Sequence, residues 1–170
     1  HPKETLIVVT ADHETGGIAL GTGKYALNLK ALENQKASAE VLSKKISDLR
    51  KAKNNHVAWE DIKNLLSEEM GFWSVLPITW EQEKKLRDEY EKSFVRNKVE
   101  FAESMYAKTE PMAAKAKEVM DQIAMVGWTS GGHSAGYVPV FAIGAGSDLF
   151  IGQMANTEIP KRIAKAGGYK

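Results

Sequence analysis

Asp12 and His13 stand side by side where an apolar run ends, in the stretch VVTADHETGG of residues 8–17. A carboxylate and a neutral imidazole are both good zinc donors. Zinc takes about four ligands, and a chain without cysteine must supply them as nitrogen and oxygen. Two donors do not make a site. His133, in TSGGHSAG, is the second candidate, with glycines that let backbone pass close to its ring. Other readings stand beside these. Asp12 can be a turn residue whose carboxylate accepts backbone N–H groups, and His133 can be a polar loop residue. His56, in KNNHVAW, reads as a solvated surface histidine, and His1 as a chain end.

In a regular strand Asp12 and His13 would point to opposite faces. They converge only if the backbone leaves the strand there, and Gly16 and Gly17 make a turn just beyond expected. The run over residues 5–11 is β-branched and without alternation, which predicts a strand buried on both faces. GGIALG predicts a second, shorter strand.

Charge and glycine divide the rest. Of the 45 Lys, Arg, Asp and Glu residues, 35 lie between Lys24 and Met125, whereas only Gly71 of the 14 glycines does. Glycine is costly inside helices and needed in tight turns. The middle therefore predicts helices and the flanks predict strands and loops. Four helices are expected. One spans 38–53, with Val41, Leu42, Ile46 and Leu49 on one side, and a second lies near 58–69. The third starts at a Thr79–Gln82 capping box and runs toward Ala107 through Leu86, Tyr90, Phe94, Phe101 and Met105. The fourth has Pro111 in its first turn and reaches about Ala124. Beyond, GWTSGGHSAG reads as loop, YVPVFAIGAG as strand and turn, and DLFIGQ as a brief strand. NTEIPKRIAKAGG reads as a helix capped by Asn156 or Thr157 and stopped by Gly167 and Gly168. The expected organisation is an α/β core in two parts, 1–23 and 127–170, around a helical insertion over 24–126.

Hydrophobic residues at 43% and charged residues at 26% fit a globular domain. A net charge of +1 gives no field that would argue for nucleic acid. No apolar run approaches the roughly 20 residues needed to cross a bilayer. Neither a nucleic-acid nor a membrane partner is expected. GTGKY fails as a phosphate-binding loop, because Ile18 and Tyr25 stand where glycine and Ser or Thr are required. There is no G-x-S-x-G elbow and no His-Glu-x-x-His. Nothing marks Ser130 or Ser134 as an activated nucleophile.

LIVVTADHETGG, followed by GWTSGGHSAGYVPVFAIGAG and FIGQMANTEIPKRI, closely resembles the C-terminal part of bacterial alkaline phosphatases. The likeness covers roughly 1–23 and 127–170, in the right order; the helical middle departs from it. The resemblance implies a three-layer αβα sheet scaffold and hydrolysis of phosphate monoesters through a phosphoserine. It implies that Asp12 and His13 ligate one of two zinc ions and that His133 ligates the other. Such ions lie about 3.5–4 Å apart in two-metal sites. The family's serine nucleophile, phosphate-clamping Arg, magnesium ligands and remaining zinc ligands all lie upstream of the Asp-His pair. The chain, which opens on His1 and Pro2, is thus expected to be a segment of a longer protein and inactive alone. A periplasmic or extracellular parent is implied by the family, and a homo-oligomer is expected from sheet edges left open. Two alternatives remain. One is a phosphodiesterase or phosphoglycerate mutase of the same superfamily; the other is a non-catalytic helical interaction module.

Overall fold

The computed structural model describes residues 1, 3–23, 25–103 and 108–169; Lys24, Met105 and Ala107, which figure in the expectations above, lie outside them. The described residues form a mixed α/β chain. Its strands are β1 (Leu6–Val9), β2 (Ile18–Leu20), β3 (Ala102–Glu103), β4 (Lys108–Thr109), β5 (Val126–Trp128) and β6 (Phe141–Gly144). Its α-helices are α1 (Ala39–Ala52), α2 (Trp59–Met70), α3 (Trp80–Tyr90), α4 (Pro111–Ala124) and α5 (Ile159–Ala166). They belong to two compact units, one made of 1–17 with 133–170 and the other of 18–132.

In the first unit β1 pairs antiparallel with β6, Ile7 opposite Ile143 and Val9 opposite Phe141. Directly opposed residues share a face of the sheet. Ile7, Val9, Phe141 and Ile143 therefore form one apolar face, and they are 53%, 57%, 63% and 69% exposed. The expectation that residues 5–11 are buried on both faces is corrected: β1 alternates, with Leu6 and Val8 on the half-buried side. A two-stranded ribbon has two faces, and here Leu6 and Val8 lie alongside Ile163 and Ala166 of α5, while the 3₁₀ turn Ser147–Phe150, with Phe150 buried, lies close to both strands. That turn also corrects the strand expected at DLFIGQ. Gly146, at φ +78°, swings the chain out of extended conformation just before it. Nor do Asn156 and Thr157 cap α5. They sit in a 3₁₀ turn over Asn156–Glu158, no side chain caps the helix, and Pro160 fixes its first turn.

In the helical unit the Thr79–Gln82 box forms as its sequence predicts, and a cap at Ser38 joins it. Ser38 Oγ accepts from Val41 N–H at the start of α1, and Thr79 and Gln82 form a reciprocal box at the start of α3. The third helix is shorter than expected. After Tyr90 it loosens into a π turn, Glu91–Val95, and Asn97 at φ +53° takes the chain out of the helix. Phe101, expected on the buried stripe of this helix, lies beyond it and is 47% exposed. Val41 is exposed as well, while Leu42 and Ile46 carry the buried stripe of α1. Leu42, Ile46, Ile62, Leu66, Leu86 and Val119 are fully buried in one continuous core. β2 pairs with β5. Gly21 and Thr22 N–H both donate to Met125 O, so these strands close the base of the helical unit and belong to it. No described helix is long and apolar enough to cross a membrane.

Candidate metal centre

Antiparallel pairing decides what meets at the tip of β1. Because Val9 lies opposite Phe141, the chain leaving β1 and the chain entering β6 run past the same end of the ribbon. Thr10 Oγ1 donates to Pro139 O at 3.1 Å and ties the two together beyond the last strand residues. Asp12 and His13 lie on the outgoing chain and His133 on the incoming one. All three fall within the first unit.

The His13 and His133 rings stack with centroids 3.4 Å apart and planes 29° from parallel. His13 Nδ1 lies 2.9 Å from Glu14 O. A carbonyl can only accept, so Nδ1 carries a proton, and in the neutral ring Nε2 presents its lone pair. Metal-ligating histidines are commonly oriented by this kind of bond. Nε2 is 3.6 Å from Asp12 Oδ2. Asp12 Oδ1 accepts the His13 backbone N–H at 3.0 Å, which orients the carboxylate. Asp12 thus makes the turn contact that one sequence reading foresaw, yet its other oxygen stays beside the imidazole. Its side chain is 86% exposed.

Do these residues fit zinc? With Zn–N and Zn–O bonds of about 2.1 Å, the 3.6 Å between Nε2 and Oδ2 subtends about 120° at the ion, close to tetrahedral. The two histidines do not fit one ion. Imidazoles sharing a tetrahedral zinc keep their ring centroids about 5 Å apart, against 3.4 Å here. Near-parallel rings at that spacing instead suit two neighbouring ions, about 3.5–4 Å apart in two-metal sites. Among the described residues no group of three or more His, Cys, Asp or Glu could hold a metal ion. The donor set fits zinc in type and in the Asp12–His13 geometry, as part of a coordination shell.

Two features escaped sequence reasoning. Glu14 bridges the loops: Oε1 accepts from Gly17 N–H, and Oε2 accepts from Ser134 Oγ and, at 3.0 Å, from Ser134 N–H. Only a distant partner reveals this, and a lone Glu in a loop carries no period. Asn156 and Thr157, expected as caps, instead join Thr10, Ala11, Asp12 and Ile159 around a cleft of about 430 Å³. A larger cleft of about 710 Å³ runs between residues 137–142 and 150–154, with no histidine or carboxylate in its lining. It offers neither kind of zinc donor considered above.

His56 is exposed in the helical unit, and His1 is exposed with Nδ1 3.6 Å from Glu4. Ser134 is tied into the loop by two hydrogen bonds. Its hydroxyl donates to Glu14 and accepts from Gly136 N–H at 3.2 Å. Ser130 Oγ donates to Gly132 O at 2.9 Å.

The sequence profile described as alkaline phosphatase matches residues 1–169. Alkaline phosphatase 3 of Bacillus subtilis (strain 168) is 31% identical over 178 residues, covering 98% of this chain and 31% of the relative. Alkaline phosphatase 4 of the same organism is 26% identical over 157 residues, covering 92% of this chain and 28% of its own. A crystal structure of a cold-active alkaline phosphatase from the psychrophile Shewanella sp. superposes with a TM-score of 0.63 at 24% identity. It covers 97% of this chain and 34% of that one, which shows the fold. The chain spans about a third of the length of the proteins it matches. It belongs to the alkaline phosphatase family.

Proposed function

We propose that this chain is the part of a zinc-dependent phosphate-monoester hydrolase that supplies Asp12 and His13 to one zinc and His133 to a second. The observation that carries the proposal is the His13 geometry, with Nδ1 committed to Glu14 O and Nε2 facing Asp12 Oδ2 at 3.6 Å. The turn at Asp12 fixes the carboxylate through the His13 N–H. The Glu14 carbonyl fixes the tautomer of His13, so neither side chain must reorganise to present a lone pair. When bound, a zinc pair would supply positive charge to the transferring phosphoryl group and its leaving oxygen. The family resemblance supports a serine nucleophile outside residues 1–170. The remaining zinc ligands and a magnesium site are assigned outside them too. Family membership supports a periplasmic or extracellular setting, and the open edges and exposed apolar face of the β1–β6 ribbon support a homo-oligomeric state, as parts of the same proposal.

Hydrolysis of a chromogenic phosphate monoester tests this. The 170-residue chain with added zinc should show no turnover above background. A polypeptide of the relatives' length that contains it should show zinc-dependent turnover, lost by at least a hundredfold in Asp12→Ala and His13→Ala. Activity that survives both substitutions would refute the assignment.

A further inference from the structure

Resting on that reading, we infer that Glu14 is the positioning residue that sets the distance between the two metal-bearing loops, by clamping Ser134 and thereby His133 against His13. The clamp sits one residue beyond each histidine. Glu14 follows His13, Ser134 follows His133, and the carboxylate receives both the backbone N–H and the hydroxyl of Ser134. Its other oxygen holds Gly17 N–H in its own loop. Bonds to an ionised acceptor are roughly twice as strong as neutral ones. The Ser134 hydroxyl is oriented in turn by accepting from Gly136 N–H.

Gly136 is part of the device. A Cβ there would sit 3.1 Å from Glu14 Cγ and 3.3 Å from Ser134 Oγ. A side chain at 136 would crowd both partners of the clamp, which would have to give by a few tenths of an ångström. Thr10 Oγ1 also ties the outgoing and incoming chains by donating to Pro139 O, and the Glu14 clamp adds a tie placed next to the histidines. Beside the clamp the two histidine rings stack at 3.4 Å. The β1–β6 pairing and the Thr10 bond bring the two chains together, and the Glu14 carboxylate sets the spacing at the histidines.

The test uses the full 170-residue chain and two readouts. In metal-free protein, ring-to-ring NOEs between His13 and His133 report the stack directly. Glu14→Gln replaces an acceptor with an NH₂ donor and should lose these NOEs, while its thermal melting stays cooperative. Ser134→Ala should weaken them and Ser134→Thr should restore them; this pair decides the matter if Glu14→Gln does not fold. The second readout is zinc titration followed through the His133 ring resonances. Loss of the clamp should weaken the His133 response by ~10–100-fold, the usual effect of removing an outer partner, with a smaller effect at His13. Unchanged NOEs in Glu14→Gln, or in Ser134→Ala, would overturn the inference. A wild-type chain whose histidines ignore zinc but whose NOEs depend on Glu14 would sink the metal assignment and leave the clamp standing.

Discussion

Replacing Arg50 with Met removes one half of an ion pair from the middle of the helical unit. The Glu110 side chain is 1% exposed and the Arg50 side chain 15%. Glu110 Oε1 accepts from Arg50 Nη2 at 2.9 Å, while Oε2 caps α4 through Met112 N–H at 2.7 Å and Ala113 N–H at 3.1 Å. The guanidinium also donates Nη1 to Ser93 O at 3.2 Å and lies 3.6 Å over the Phe94 ring. Removing one partner of a buried pair costs about 3–5 kcal/mol, because the other charge stays buried. Loss of the contact with Phe94 adds about 0.5–2 kcal/mol. The two cap bonds and the Met side chain, which refills the stem volume, offset part of this. The net expectation for Arg50→Met is about 3–4 kcal/mol, a large share of a domain stability of about 5–15 kcal/mol. Adding Glu110→Gln neutralises the orphaned charge and should recover about 1–2 kcal/mol, since neutral amides are less costly to bury than ions. All four tryptophans lie in 18–132, so tryptophan fluorescence during urea unfolding reports on this unit. A loss below about 1 kcal/mol in Arg50→Met, or a double variant less stable than the single, would refute the reasoning.

Gly144→Ala should disrupt the β1–β6 pair, because Gly144 has φ +101° and a Cβ there would meet Thr5 O at 2.0 Å. Left-handed backbone alone costs about 1–2 kcal/mol, so amide exchange in Leu6–Val9 should rise more than tenfold. Glu83 is held below the usual glutamate range, first by the hydrogen bond from Arg87 and further by one from Trp73, against the opposing effect of burial. A lowered carboxylate contributes stability above its unfolded value that disappears as pH falls through the folded one. The urea midpoint should therefore drop between pH 7 and pH 3, and drop less in Glu83→Gln. Ile143→Lys, at a position 69% exposed on the open apolar face, should reduce self-association in light scattering and leave the melting temperature nearly unchanged.

What the sequence revealed was local. Ser38, the Thr79–Gln82 box and Pro111 mark helix starts through contacts within one turn, and each lies where its residue type requires. The Asp12-His13 pair at a strand tip was legible because the apolar run ends so abruptly there. Long-range matters were not legible. The face of β1 left open depends on what covers the ribbon, which a β-branched run does not encode. The end of α3 at a π turn has no Gly or Pro to announce it. There Tyr90 stacks on Phe94, and Arg50 from α1 lies over Phe94 and takes the Ser93 carbonyl, so tertiary contacts set the exit. Glu14 had no signal at all. Its partner is 120 residues away, and only the antiparallel return of β6 brings it near.

Anomalous diffraction at the zinc edge, from crystals of this chain soaked in millimolar zinc, tests the central claim most directly. The account predicts a peak about 2.1 Å from both Asp12 Oδ2 and His13 Nε2, and any second peak bonded to His133 at about 3.5–4 Å from the first. One peak bonded to both histidines, or density at His133 with none at Asp12, would contradict it.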